Sequence, residues 1–160
     1  MSQNNIACQE INIEFDIFGF SRGAVLARHL TNLIYENDAS VVDSIRHVLN
    51  KNGHALSGTP VVNFLGLFDT VGTFMDSKAF DNDPHDTGYT RILKVNVPAG
   101  AAQHAFQLNA LHEFRYNFPL YSLGGHYPEL TIEGAHSDVG GGYPFLEEER
   151  NVISNRHTAP

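Results

Sequence analysis

The segment Gly19-Phe20-Ser21-Arg22-Gly23 offers this 160-residue chain a candidate for covalent chemistry. A serine hydroxyl is a weak nucleophile until a base takes its proton, and that base works best when a carboxylate orients it. Displayed on a sharp strand-to-helix turn, Ser21 would stand above a helix N-terminus, with Gly19 and Gly23 letting the turn close. The plainer alternative is a glycine-rich turn whose serine caps the helix. Asp69, in Leu67-Phe68-Asp69-Thr70-Val71-Gly72, follows an apolar run and falls where doubly wound sheets keep their catalytic groups. An Asx-turn or a helix cap is the commoner fate of such an aspartate. His136 lies in Gly134-Ala135-His136-Ser137-Asp138-Val139-Gly140-Gly141-Gly142-Tyr143, from which an imidazole can reach over a sheet edge towards Ser21. The same glycines also suit a metal or anion loop, although the absence of a following Lys-Ser/Thr disfavours a Walker-type phosphate loop.

Positioning these groups requires strands that end on a common edge. Ile11, Ile13, Phe15 and Ile17 alternate with polar residues, a strand pattern running into Gly19. Ala24, Val25, Ala27, Leu30, Leu33 and Ile34 then recur at helical spacing, with Asn37-Asp38 as the stop. The run from Val61 to Phe68 suits a parallel strand buried on both faces. The mixed three-and-four spacing of Ala102, Ala105, Phe106, Leu108, Leu111 and Phe114 predicts an amphipathic helix over 101–114, carrying His104 and His112 as packing or surface residues. Leu130-Thr131-Ile132-Glu133 is a short β-prone segment ahead of His136. Residues 73–89 read as a long loop; Asp81, Asp83 and Asp86 within it lack the full pattern of a calcium loop.

Composition narrows the classes. With 42% hydrophobic residues, the chain has material for one domain core, and nothing in it marks a second. A formal charge of −8 argues against nucleic acid and against attraction to an anionic membrane; acidic stretches such as Glu147 to Glu149 read as solvated surface. No apolar run is long enough to cross a bilayer, and the polar N-terminal residues do not resemble a signal peptide. The single Cys8 excludes an intramolecular disulfide and is compatible with a reducing compartment.

The chain order of an α/β-hydrolase is nucleophile, acid, histidine, each at a strand end, and Ser21, Asp69 and His136 satisfy it. Asp138 is the rival acid. It follows His136 by two residues, and its expected task is to hold the loop or the histidine tautomer. Taken together and in order, the three motifs resemble the catalytic domain of type VI secretion phospholipase effectors of the first lipase class, over residues 16–143. The segment 107–118, ending Arg115-Tyr116-Asn117-Phe118-Pro119, resembles that family's helix between acid and histidine.

The resemblance implies a mostly parallel α/β sheet with flanking helices and a Ser-Asp-His lipase acting on acyl esters of membrane glycerophospholipids. Ser21 would be the nucleophile, His136 the base and then acid, and Asp69 the orienting carboxylate. The backbone N–H of Arg22 would be one oxyanion donor, with Gly19, Gly23 and Asp138 as loop supports. Neither metal nor cofactor is implied. The implied partners are phospholipid, with transient membrane contact, and components of the secretion machine, which would carry the protein from the producer's cytoplasm into a neighbouring cell's periplasm. Only about ten residues precede the strand carrying Ser21, so the expectation is a single truncated α/β-hydrolase domain, 1–160, lacking the N-terminal strands. A non-catalytic module retaining the fold and an esterase for soluble esters are the other readings.

Overall fold

The computed structural model describes residues 9–72, 93–116 and 118–142. Cys8, the acidic loop with Asp81, Asp83 and Asp86, Tyr143 and Glu147 to Glu149 lie outside the described residues. Two parallel ladders form: β1 (Gln9–Ile11) pairs with β3 (His54–Leu56), and a four-stranded sheet runs β2 (Glu14–Phe20), β4 (Val61–Phe68), β5 (His104–Ala110), β6 (Glu129–Ile132). All the strand pairs within these ladders are parallel. The fold is therefore an α/β fold with mostly parallel sheets and flanking helices, as expected. The alternation from Ile11 to Ile17 is divided between β1 and β2, with Asn12 and Ile13 between them.

Helix α1 (Arg22–Tyr35) packs on one face of β2 and β4. Ala24, Ala27 and Ile34 meet Val62, Leu65 and Leu67 there, and Ala105 of β5 joins them in the core. Burying each of the two leucines contributes about 1.5–3 kcal/mol before the cost of chain entropy. Asn37 turns left-handed after α1, at φ 54°, and Asp38 caps α2 (Ala39–Lys51), accepting from Ser40 N at 2.9 Å. This second helix, whose buried residue is Val42, was not anticipated from sequence.

Two sequence expectations are corrected. The predicted helix over 101–114, and with it the helical reading of 107–118, is replaced by strand β5. Ala105, Gln107 and Asn109 alternate inward between β4 and β6, so the pattern has period two. Two of those inward positions are polar, which disguised the alternation.

Gln107 is fully buried because its amide is saturated. Its oxygen accepts from Arg28 at 2.5 Å and Thr70 Oγ1 at 2.6 Å, and its nitrogen donates to Tyr121 O and Glu129. Burial pulls the Arg28 guanidinium down to about 10, with Glu129 opposing the shift. Arg28 also donates through its two terminal nitrogens to the carbonyls of Val95, Tyr121 and Ser122, which offsets part of the cost of burying the charge, while its Nε has no partner among the described residues.

The other correction concerns β4, which is fully buried only on its α1 face. On the opposite face Phe64 and Phe68 are half-buried beside Phe18, itself 63% exposed.

Candidate active site

Ser21, Asp69 and His136 follow β2, β4 and β6 respectively, and parallel strands in register bring their ends to one edge. Phe20 pairs with Phe68, and the Ser21 N–H donates to Phe68 O at 2.9 Å, stitching the serine turn to the aspartate turn. The Asp69 N–H donates in turn to Leu108 O at 2.7 Å. Both residues occupy left-handed backbone, with φ 56° at Ser21 and 42° at Asp69, a conformation that costs non-glycine residues free energy and often marks functional turns.

The Ser21 side chain makes no capping hydrogen bond to α1, which removes the simple cap reading. Its Oγ lies 2.8 Å from His136 Nε2, while His136 Nδ1 lies 2.7 Å from Asp69 Oδ2. With the ring proton on Nδ1 donating to the carboxylate, Nε2 is left to accept the serine proton. The second Asp69 oxygen accepts from Ala110 N at 2.9 Å, so the carboxylate is held from both ends and forms no Asx-turn. Asp69 and His136 are 3% and 4% exposed, an environment in which this proton path is little screened by water.

Asp138 stands outside that chain of contacts. It lies in the short helix α3 (His136–Val139), and its Oδ2 accepts from Ala135 N at 2.7 Å, closing the turn into the helix. Gly134 enters that turn at φ 120°, where an added Cβ would fall 2.8 Å from the Asp138 Cβ.

The two glycines of the serine turn differ. A Cβ on Gly19 would lie 2.5 Å from Gly23 O and 2.6 Å from Ala24 backbone atoms, whereas one on Gly23 would meet nothing within 4 Å. Only Gly19 is required sterically, which corrects the symmetric expectation. The N–H groups of Arg22 and Gly23, at the start of α1, have no acceptor among the described residues. They are the unsatisfied donors a helix N-terminus offers to an anion.

Three residues missed in the sequence complete the surroundings. Phe20 and Phe118 lie on His136 with ring centroids 4.5 and 4.9 Å away, the latter edge-on, and so limit the tilt of the imidazole. Glu113 accepts the His136 N–H at 3.3 Å and is itself gripped by Arg115, whose hydrogen bonds pull the Glu113 carboxyl down to about 2. Residues two apart do not face each other on a helix, so the expected helix concealed this pair.

No group of three or more His, Cys, Asp or Glu able to hold a metal occurs among the described residues. A cavity of about 680 Å³ lined by Asn32, Glu36, Lys94, Val97, Leu123 and His126 shares no residue with the site.

Residues 12–158 match the family model for the type VI secretion system (T6SS) phospholipase effector, Tle1-like, catalytic domain. The chain belongs to that family. It is also similar, at 40% identity and a TM-score of 0.69 over 83% of its length, to the Tle1 effector in a structure bound to the VgrG spike of the type VI secretion system. A second similar structure, at 25% identity and a TM-score of 0.53, is that of an uncharacterized protein from Pseudomonas aeruginosa. No curated protein matches the chain. The chain spans 25% of the first of these solved chains and 20% of the second.

Proposed function

We propose that this chain carries the catalytic centre of a serine hydrolase that cleaves acyl esters of membrane glycerophospholipids. The observation carrying the reading is the continuous path from Ser21 Oγ through His136 to Asp69, at 2.8 and 2.7 Å. In this mechanism His136 Nε2 takes the Ser21 proton as Oγ attacks the ester carbonyl, and Asp69 stabilises the imidazolium that forms. The Arg22 N–H, at the head of α1, donates to the developing oxyanion. His136 then protonates the departing alcohol, and water repeats the sequence on the acyl-enzyme. Family membership supports phospholipid as the substrate and a type VI apparatus as the carrier. By analogy with the spike-bound effector, the spike is the proposed secretion partner and the target-cell periplasm the destination.

A fluorophosphonate probe tests the chemistry. The folded chain is expected to label covalently and the Ser21→Ala variant to remain unlabelled. A folded chain that resists the probe would be a module retaining the fold without catalysis.

A further inference from the structure

We propose that the segment following β5 is an interfacial anchor that seats the site on a zwitterionic phospholipid surface. This rests on the lipase reading and names the surface that the site engages. Leu111, Phe114, Tyr116 and Leu120 are 52%, 85%, 64% and 44% exposed within one short stretch, at the sheet edge that carries Ser21 and His136. Such a concentration of large apolar side chains at a sheet edge marks an interaction surface.

The segment is secured at both ends. Leu111 N donates to Ile132 O and His112 N to Gly134 O; further on, Leu120 bridges to Val71, and Tyr121 N donates to Thr70 O. It is also continuous with the candidate catalytic groups, because Glu113 holds the His136 backbone and Phe118 lies edge-on to the His136 ring. Seating its apolar side chains in a bilayer would therefore bring the serine to the depth of the headgroups and ester bonds.

Charge selects the kind of surface. Arg115 donates to Glu113 at 2.6 Å and lies 3.8 Å over the Phe118 ring, so this cation is already engaged within the segment. The whole chain is formally −8. An anionic leaflet would add repulsion, whereas insertion of Phe, Leu and Tyr draws on apolar burial and an aromatic preference for the headgroup zone. A second copy of this acidic chain would meet the same repulsion as an anionic leaflet.

Vesicle flotation of the Ser21→Ala protein tests the anchor without lipid breakdown. The protein should float with phosphatidylcholine vesicles, added phosphatidylserine should not raise the bound fraction, and Leu111→Ser with Phe114→Ser should lower binding about tenfold or more. Leu26→Ser, on α1 and 54% exposed, makes a similar polarity change elsewhere and should leave binding intact. Circular dichroism establishes that each variant is folded.

Failure to float, flotation only with anionic vesicles, or equal loss in the Leu26 variant would overturn the anchor. So would a segment variant that dissolves a dimer in gel filtration while leaving flotation unchanged. Hydrolysis of a soluble short-chain ester by the Ser21 protein separates the two readings. Vesicle binding without ester hydrolysis defeats the lipase reading alone; ester hydrolysis with vesicle cleavage indifferent to Phe114→Ser defeats the anchor alone.

Discussion

Gly19 and Gly23 look equivalent around Ser21, yet the structure asks different things of them. Gly19→Ala would drive a methyl into backbone atoms of Gly23 and Ala24, which cannot rotate away, and should cost about 3 kcal/mol. Gly23 lies in open space near the start of α1, so Gly23→Ala should raise stability by about 0.5–1 kcal/mol in thermal unfolding. The two aspartates divide in the same way. Asp69→Asn should slow fluorophosphonate labelling and ester turnover by about 10⁴-fold, by leaving His136 in the wrong tautomer. Asp138→Ala removes only the acceptor for Ala135 N and should cost about 1 kcal/mol of stability, with a far smaller effect on rate. Residue types and order in the sequence were enough to nominate Ser21, Asp69 and His136, because a nucleophile turn and strand-terminal groups leave local marks. Which glycine is sterically indispensable depends on atoms across the turn, and no spacing records those.

Among the elements, β5 was the least legible. Its inward face alternates Ala105, Gln107 and Asn109, and the two amides, Gln107 held by Arg28, Thr70 and Glu129 and Asn109 donating to Glu129, look, in sequence, like solvent positions. Arg28 itself was visible in principle, since it lies four residues after Ala24 on the buried face of α1. Reading β5 as helix also hid the Glu113–Arg115 pair that braces α3. That brace predicts an acid-sensitive site. The Glu113 carboxyl falls from 4.5 to about 2 on folding, so its stabilising contribution is complete above the ordinary value and is lost as pH drops from about 4.5 towards 2. Chemical denaturation across that window should show the stability gap between the wild-type protein and Glu113→Gln narrowing as acid is added. A gap that stays constant would mean that Arg115 grips Glu113 equally in the unfolded chain.

Among the described residues, α1 covers one face of β2 and β4, while the opposite sheet face leaves Phe18 and Leu130 largely exposed beside half-buried Phe64. Parallel sheets generally bury both faces, and this partial cover accounts for the difference between the expected and observed burial of β4. The single-direction order β2-β4-β5-β6 places each candidate group one strand further across the sheet, skipping only β5. Sequence motifs announced the strand ends but not this adjacency, which depends on pairings between distant segments.

Ser21 and His136 are 115 positions apart, and their hydrogen bond joins the residues that follow β2 and β6, the two outer strands of that sheet order. Contacts of such separation close late in folding. In refolding from denaturant, fluorophosphonate labelling should therefore lag behind recovery of helical and strand signal; simultaneous recovery would show that the pair forms early. The same separation gives the proposed hydrolase a built-in delay. On a ribosome the serine emerges unarmed, and it becomes reactive only after β6 and the histidine beyond it have been made.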